Sequence, residues 1–246
     1  MTLTVTLPNG PARPKPANQS SGSIPEGVHI TFPSLRHPPA TLVGSDGKRR
    51  PAWVGTDPVL LDYYDTEWGV PLTDEDDLFE ILCLLVFQAG LRWKTILTRR
   101  TVLRAAFGGF SPDLLASWGQ EDIERLMCDT AVIRNRRKIE STLTNARATV
   151  RLRNEGGLAS LVWSHQPDTS PPPLHHDDLP PSIPESEDLA NDLRNHGFAA
   201  VGPKSCYALM QAAGIVDTNP LEAYRRGDSG LWQPDGRRRA TRTQAA

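Results

Sequence analysis

The stretch that decides the fold opens with Tyr63-Tyr64-Asp65-Thr66-Glu67-Trp68-Gly69-Val70-Pro71 and closes on Phe87-Gln88-Ala89-Gly90-Leu91-Arg92-Trp93. Between the two motifs, Leu, Ile, Phe and Val side chains occur nearly all round a helical turn, which predicts a central, buried helix that ends at Gly90. Aromatic rings beside such a helix suit a pocket that stacks on a flat ring and keeps water away from it. The alternative is that these rings are ordinary core side chains.

The composition predicts one folded domain between two loose tails. Residues 1–48 are rich in Pro, Ser, Gly and Asn without an apolar period, so we expect a disordered tail. Residues 227–246 include Arg237-Arg238-Arg239 and are expected to form a second, basic disordered tail. Residues 49–226 suffice for one compact domain. Because the formal net charge is −2, any nucleic-acid surface must be a local patch.

The cysteines and the hydropathy indicate the compartment. Cys83, Cys128 and Cys206 are widely spaced and lack CxxC spacing, which predicts buried thiols rather than disulfides or a Cys-rich zinc site. The sequence has no apolar leader and no apolar run long enough to span a bilayer. We therefore expect a cytoplasmic protein without a membrane partner.

Helix signals cover almost all of residues 49–226, which predicts an all-α fold. Thr73-Asp74-Glu75-Asp76 is typical of a helix N-terminus, and Ser111-Pro112 is an N-cap followed by a proline at the first helical position. Prolines crowd residues 165–184, which predicts a loop insertion. One long helix is predicted from a single apolar face formed by Ile139, Leu143, Ala146 and Val150.

A basic turn follows, with the sequence Ile133-Arg134-Asn135-Arg136-Arg137-Lys138-Ile139. A short helix, a tight turn and a second helix that begins with cations is the layout of a helix-hairpin-helix, in which backbone amides and a helix N-terminus hold DNA phosphates. Cations at a helix N-terminus oppose its dipole, which favours a phosphate partner over a structural role. The alternative is a solvated basic face. We expect DNA contacts from Arg134, Arg136, Arg137 and Lys138.

Taken in order, these motifs resemble the 3-methyladenine DNA glycosylase I family of base-excision repair enzymes, from about Trp53 to Val216. The resemblance implies a helix-hairpin-helix DNA glycosylase fold and an enzyme that excises alkylated adenine from double-stranded DNA as a monomer. It implies that Gly90 and Leu91 enter the duplex where the base has left, as an apolar wedge beside a glycine can do. It also implies a base pocket built from Tyr63, Trp68 and Trp93, with Trp53 as a weaker fourth candidate.

The chain departs from the family pattern at three places. Leu85 occupies the position of the pocket Glu that accepts hydrogen bonds from the alkylated adenine, so the catalytic group is not identified. Ala131 replaces a glycine of the basic turn, which predicts either a less tight hairpin or DNA that lies further away. The family's two Cys and two His zinc ligands are replaced at Pro51, at Tyr64 and within residues 219–224, so we predict no metal and no cofactor.

Three functions remain open from the sequence. The first is an active glycosylase with an altered substrate range. The second is a catalytically impaired paralogue that binds DNA lesions or abasic sites without excision, as Leu85 suggests. The third is a helical protein-interaction domain. Asp65 and Glu67 are nearby carboxylates, which we interpret as structural partners that fix the Trp68 loop.

Overall fold

The computed structural model describes residues 39–170, 172–173, 175 and 178–240. In these ranges the chain consists of helices joined by loops, with one small hairpin, which confirms the predicted all-α class. None of the helices there is long and apolar enough to cross a lipid bilayer. The predicted tail over residues 1–38 and the last residues, 241–246, lie outside the described residues.

The elements follow one another closely along the chain. Strands β1 and β2 span Thr41–Val43 and Arg49–Pro51, and short 3-10 turns cover Gly108–Phe110 and Arg153–Glu155. The α-helices are α1 Pro58–Thr66, α2 Glu75–Gln88, α3 Trp93–Ala106, α4 Pro112–Ser117, α5 Gln120–Cys128, α6 Arg136–Leu152, α7 Gly157–Ser164, α8 Pro184–Asn195 and α9 Pro203–Ala212. The predicted loop insertion of residues 165–184 lies between α7 and α8.

Helix α2 forms the centre of the core, as its apolar sequence predicts. Its N-cap is Asp74, whose carboxylate accepts hydrogen bonds from the amides of Asp76 at 2.9 Å and Asp77 at 3.2 Å. Every residue from Leu78 to Phe87 is buried. The helix contacts α3, α6, α7 and α9, so neighbouring helices surround it on several sides.

Helices α5 and α6 form the predicted helix–turn–helix around the basic turn. Asn135 is the N-cap of α6, and its side-chain oxygen accepts a hydrogen bond from the amide of Lys138 at 3.2 Å. Helix α6 then buries Ile139, Leu143 and Ala146 against the core. The basic turn is therefore carried on a helix that is anchored in the protein interior.

The β-hairpin shows that the fold begins before residue 49, where the sequence placed the domain boundary. Strands β1 and β2 are antiparallel, with Thr41 opposite Pro51. Polar contacts hold the hairpin, since Arg50 is 5% exposed and donates to Asp46 at 2.6 Å and to Asp65 at 2.7 Å. Such short strands have no apolar alternation, so the sequence pattern gave no signal for them.

The C-terminal segment also differs from its predicted disorder over residues 227–240. Trp232 is fully buried, and isolated bridges pair Thr169 with Arg237 and Trp232 with Arg238. The carbonyl oxygen of Trp232 accepts a hydrogen bond from the Arg239 guanidinium at 3.0 Å. A single tryptophan in a segment rich in Gly and Arg creates no periodic pattern, which is why composition alone suggested a loose tail.

The cysteines occupy two kinds of environment. Cys83 and Cys206 are buried, as predicted, whereas Cys128 is exposed. Burial raises the pKa of the Cys83 thiol well above its usual value and that of the Cys206 thiol to about 12. The two buried thiols are therefore protonated and unreactive at neutral pH.

Candidate functional site

The predicted pocket residues meet around one cavity of about 460 Å³. Tyr63, Trp68, Leu85 and Trp93, which the family resemblance assigned to the pocket, all line it. They come from α1, the loop after it, α2 and the start of α3. The other lining residues are Trp53, Leu60, Gln88, Arg92, Lys94, Ala208, Gln211 and Ala212.

The aromatic side chains of the cavity contact one another edge to face. The rings of Tyr63 and Trp93 have centroids 5.5 Å apart at an interplanar angle of 63°, and those of Trp53 and Trp68 are 5.4 Å apart at 66°. Tyr64 stacks on Trp68 from the protein interior, at 5.7 Å and 30°. These contacts hold the rings in fixed orientations, as a site for a flat ligand requires.

Tyr63 contributes a neutral phenol to the cavity. Its side chain is 3% exposed, and burial, with the negative charge of Glu67 as a second cause, raises the pKa of Tyr63 well above its usual range. Its ring packs edge to face against that of Trp93. It therefore stays protonated at neutral pH and links the α1 wall of the cavity to the α3 wall.

The loop that carries Trp68 is fastened to the C-terminal end of α9. The amide of Gly69 donates to the carbonyl oxygen of Ala212 at 3.0 Å, and the amide of Leu72 donates to that of Ala213 at 3.1 Å. Gly214 has a φ of +71°, and a Cβ atom added there would lie 2.6 Å from the Gly69 carbonyl oxygen. Only glycine allows this close approach, which brings α9 against the cavity.

Residues near the C-terminus hold the same loop from a second side. The buried guanidinium of Arg225 donates through Nη1 to the carbonyl oxygens of Tyr64 and Trp68, the latter at 2.9 Å. The Tyr64 hydroxyl donates to Oδ1 of Asn219 at 2.6 Å, and both groups are buried. The C-terminal segment is thus part of the structure that positions Trp68.

These contacts occupy the region where the family resemblance implies zinc ligands. Pro51, the phenol of Tyr64 and the amide of Asn219 are not the thiolates and imidazoles of a structural zinc site. Within the described ranges, no group of three or more His, Cys, Asp or Glu side chains is arranged to hold a metal ion. The residues present do not fit the metal, and hydrogen bonds join the two ends of the domain instead.

The two carboxylates near Trp68 take part in ion pairs outside the cavity. Asp65 accepts hydrogen bonds from Arg50 at 2.7 Å and from the Tyr224 hydroxyl at 2.8 Å, and the Arg50 guanidinium holds the pKa of Asp65 below its usual value. Glu67 pairs with Arg100 and lines a separate cavity of about 220 Å³. Among the described residues that line the 460 Å³ cavity, there is no carboxylate.

Amides and cations supply the polar groups of the cavity, and sequence reasoning missed them. Gln88 and Gln211 line it from α2 and α9. Arg92 is exposed at the N-cap of α3, and Lys94 pairs with Asp57. Gln88 lies inside the closing motif, whereas Gln211 could be found only by knowing which face of α9 meets the cavity.

The predicted wedge projects beside the cavity. Gly90 has a φ of +80°, which glycine adopts without strain, and this turn follows directly on the end of α2. The Leu91 side chain is 40% exposed, although it is large and apolar. A wider groove of about 800 Å³ runs along Gly90 and Leu91 and shares Leu85, Gln88, Ala208 and Gln211 with the cavity. Leu91 thus presents an exposed apolar side chain on the wall of the groove that adjoins the cavity.

Two hydrogen bonds hold the basic turn at Ala131, which stands in place of glycine. The Ala131 amide donates to Oδ1 of Asp129 at 2.8 Å, and its carbonyl oxygen accepts from Arg99 at 3.2 Å. The backbone of Ala131 is not left-handed, since Phe110 and Ala200 are the non-glycine positive-φ residues of the described chain. This turn therefore does not use the positive φ that glycine favours, and the predicted looser hairpin stays a prediction.

The four cations of the turn differ in their surroundings. Arg134 and Arg137 are exposed and, among the described residues, have no ion pair. Arg136 pairs with Glu124 at 2.8 Å and approaches Glu140 at 3.8 Å. Lys138 is half-buried and points back to the end of α2, where its ammonium group bonds to backbone carbonyls. The guanidinium groups of Arg134 and Arg137 are therefore exposed to solvent at the turn.

Comparison with known proteins supports the resemblance over the same region. Residues 53–226 match the family model described as methyladenine glycosylase. The DNA-3-methyladenine glycosylase 1 of Escherichia coli is 41% identical over 172 residues, which cover 68% of this chain and 91% of that protein. The DNA-3-methyladenine glycosylase of Haemophilus influenzae is 37% identical over 169 residues, or 67% of this chain and 91% of that protein.

Solved structures agree in fold. A crystal structure of 3-methyladenine DNA glycosylase I superposes with a TM-score of 0.68 at 40% identity and covers 71% of this chain and 98% of its own. A Tyr-to-Phe variant of such an enzyme, crystallised in complex with 3-methyladenine, gives a TM-score of 0.67 at 28% identity, with 76% and 98% covered. The β-hairpin and the packed segment after residue 226 lie outside the region that matches the family model.

Proposed function

This chain belongs to the methyladenine glycosylase family, and we propose that it is a DNA glycosylase that removes alkylated adenine from double-stranded DNA in base-excision repair. The proposal includes 3-methyladenine as a substrate and an altered range of other alkylated purines. We also propose that the protein acts as a monomer, because the predicted pocket residues Tyr63, Trp68, Leu85 and Trp93 already meet within a single chain.

The observation that carries this proposal is an aromatic cavity directly beside an exposed apolar wedge. The cavity volume of about 460 Å³ falls within the range of about 300–1,000 Å³ that is usual for small-ligand sites. In the proposed complex, Leu91 fills the gap left in the duplex and the everted base stacks between Tyr63, Trp68 and Trp93. Arg134 and Arg137 are proposed to bind phosphates of the damaged strand, since both are exposed and unpaired among the described residues.

The proposed chemistry relies on binding the leaving base. A 3-alkylated purine in DNA is cationic, so its glycosidic bond is weak and aromatic faces attract it. When that bond breaks, the electron pair moves onto the base, and a water oxygen bonds to the sugar carbon and loses a proton to solvent. The cavity contributes stacking and exclusion of other water, and we assign no catalytic carboxylate, since Asp65 and Glu67 are not among its lining residues.

Leu85 supports the altered substrate range. A Leu side chain cannot accept the hydrogen bond of an exocyclic amine, and a buried donor left unsatisfied costs about 1–3 kcal/mol. Gln88 and Gln211 are the neutral polar groups on the same walls, and each carries a carbonyl oxygen that can accept. We propose that these amides take over part of the recognition of the base, which adds selection by shape and donor position to the attraction of the cationic ring.

Base release from alkylated DNA tests the proposal. The purified full chain is incubated with methylated duplex DNA, and released bases are separated and quantified against a reaction without protein. We expect release of 3-methyladenine, and we expect Trp93→Ala to slow it about tenfold to a hundredfold, since stacking of a base on an aromatic ring contributes about 1–3 kcal/mol. Trp118→Ala is the matched control, because Trp118 stacks on Phe107 outside the cavity.

The outcomes of this experiment separate the candidate functions. No release of any alkylated base above the reaction without protein would overturn the proposal. Lesion-specific binding without release would instead identify a paralogue that recognises damage. Salt-insensitive binding, or none, would point to a protein-interaction domain, because phosphate contacts weaken steeply with salt. In the active case, Arg134→Gln and Arg137→Gln should each reduce the slope of log K against log salt by about 0.9.

A further inference from the structure

Lys138 belongs to the basic turn in sequence, but its ammonium group binds another part of the protein. Its Nζ lies 2.7 Å from the carbonyl oxygen of Phe87 and 2.7 Å from that of Ala89. Both carbonyls belong to the last turn of α2 and the residues just after it. The contact therefore joins α6 to the segment that leads into Gly90 and Leu91.

The carbonyl groups that Lys138 binds lack a hydrogen-bond donor within helix α2. The last carbonyls of a helix have no partner within the helix and carry the negative end of its dipole. Helix α2 has no basic residue of its own in its last turn. The Lys138 ammonium supplies both hydrogen-bond donors and positive charge at this point, and it fixes the direction in which the chain leaves the helix.

The surroundings of Lys138 differ from those of its neighbours in the turn. Arg134 and Arg137 are exposed, whereas Lys138 is half-buried. Burial lowers the pKa of the Lys138 ammonium, as expected for a cation withdrawn from water. A group that makes two 2.7 Å bonds inside the protein has at most one N–H left for an outside partner.

We propose that Lys138 is a positioning residue for the wedge, which holds the segment from Gln88 to Leu91 in place through its bonds to Phe87 and Ala89. This inference rests on the proposed function, because it assigns Leu91 the role of the wedge. Lys138 lies one residue after Arg137 on α6, so the same helix start that grips the strand also sets the wedge. Phosphate binding at the turn thereby fixes the distance at which Leu91 enters the duplex.

The test compares Lys138→Met with Arg137→Met, which removes a cation that has no ion pair among the described residues. Equilibrium binding to lesion-containing duplex is measured from low to high salt, and excision is measured in single-turnover reactions at saturating DNA. Arg137→Met should weaken binding and reduce the salt slope by about 0.9. Lys138→Met should leave the salt slope at the wild-type value and lower the excision rate at saturating DNA about tenfold or more, because a misplaced wedge disturbs the reactive geometry.

A second variant and a second readout keep the test decisive. Lys138→Gln retains an amide donor without charge, and thermal melts show whether each variant is folded. Fluorescence of 2-aminopurine next to the lesion reports base eversion. This fluorescence should fall in both Lys138 variants but not in Arg137→Met at saturating DNA. The proposal would be overturned if both Lys138 variants excised normally at saturating DNA and their slope of log K against log salt were reduced by about 0.9. Lys138 would then be a phosphate contact. If the wild type excises no base, only the proposed function is refuted, because base eversion and the salt slope still test the role of Lys138.

Discussion

Replacement of Leu85 by Glu gives the sharpest prediction about the base cavity. The Leu85 side chain is 7% exposed and lines both the cavity and the adjoining groove. No carboxylate is present among the described lining residues, so Leu85→Glu introduces a strong acceptor where the proposed base would bind. The variant should therefore bind 3-methyladenine more tightly than the wild type while folding less stably.

The loss of folding stability and the gain in affinity for the base have comparable sizes. Full burial of a Leu side chain stabilises the fold by about 1.5–3 kcal/mol, and Leu85→Glu gives up most of that amount. Satisfaction of a buried donor on the base is worth about 1–3 kcal/mol, which corresponds to an affinity gain of about tenfold to a hundredfold. Since domains are commonly stable by about 5–15 kcal/mol, the variant should remain folded and show the gain in binding.

Binding of 3-methyladenine can be followed through tryptophan fluorescence, because Trp53, Trp68 and Trp93 line the cavity. Urea denaturation measures the free energy of unfolding of each variant. Leu85→Met keeps the volume without adding an acceptor and is the matched control, while Leu85→Gln adds a neutral acceptor. Equal affinities of the Glu, Gln and Met variants would refute the reasoning, since position 85 would then not face the polar edge of the base.

Three further predictions concern the wedge and the anchors of the Trp68 loop. Leu91→Ala should slow base release from duplex DNA but not from single-stranded DNA, because the exposed Leu91 fills a gap only in a duplex; equal slowing on both substrates would contradict the wedge role. Arg225→Met should lower the free energy of unfolding in urea by about 2–6 kcal/mol, since two buried carbonyls lose their donor at about 1–3 kcal/mol each; a change below about 1 kcal/mol would contradict this. Asp65→Asn should lower the free energy of unfolding by an amount that depends on pH, which denaturation at several pH values measures. The difference from the wild type should be full above about pH 4 and shrink as the pH falls further, because Arg50 depresses the pKa of folded Asp65 below its unfolded value of about 3.9. A difference that does not change on acidification would exclude this linkage.

The sequence was sufficient for the parts of the site that depend on local pattern. The apolar run of α2 could bury itself only in the centre of a helical core, and Gly90 marked its end. Tyr63, Trp68, Leu85 and Trp93 were assigned to the pocket through the resemblance of their motifs to the family, and the fold brings them to one cavity.

Contacts between distant residues were beyond the reach of sequence pattern. Gln211 reaches the cavity because Gly214 lets α9 approach Gly69, a condition that no periodicity encodes. The inward direction of Lys138 depends on where α2 ends in space, so its sequence position beside Arg137 suggested a phosphate contact. Trp232 is also a contact that sequence pattern could not predict. Its one buried ring is enough to hold a segment whose composition is otherwise that of a disordered tail.

The anchoring of the Trp68 loop by Arg225 has a consequence for biosynthesis. The bonds from Arg225 to the carbonyl oxygens of Tyr64 and Trp68 join residues that are 161 and 157 positions apart. On the ribosome, the loop emerges long before its anchor, and closure of so long a loop comes late. A polypeptide that stops short of Arg225 therefore lacks the bonds that place Trp68, so the proposed base pocket cannot take its final form until Arg225 has emerged. Chains that end before Arg225 should not compete with longer ones for damaged sites.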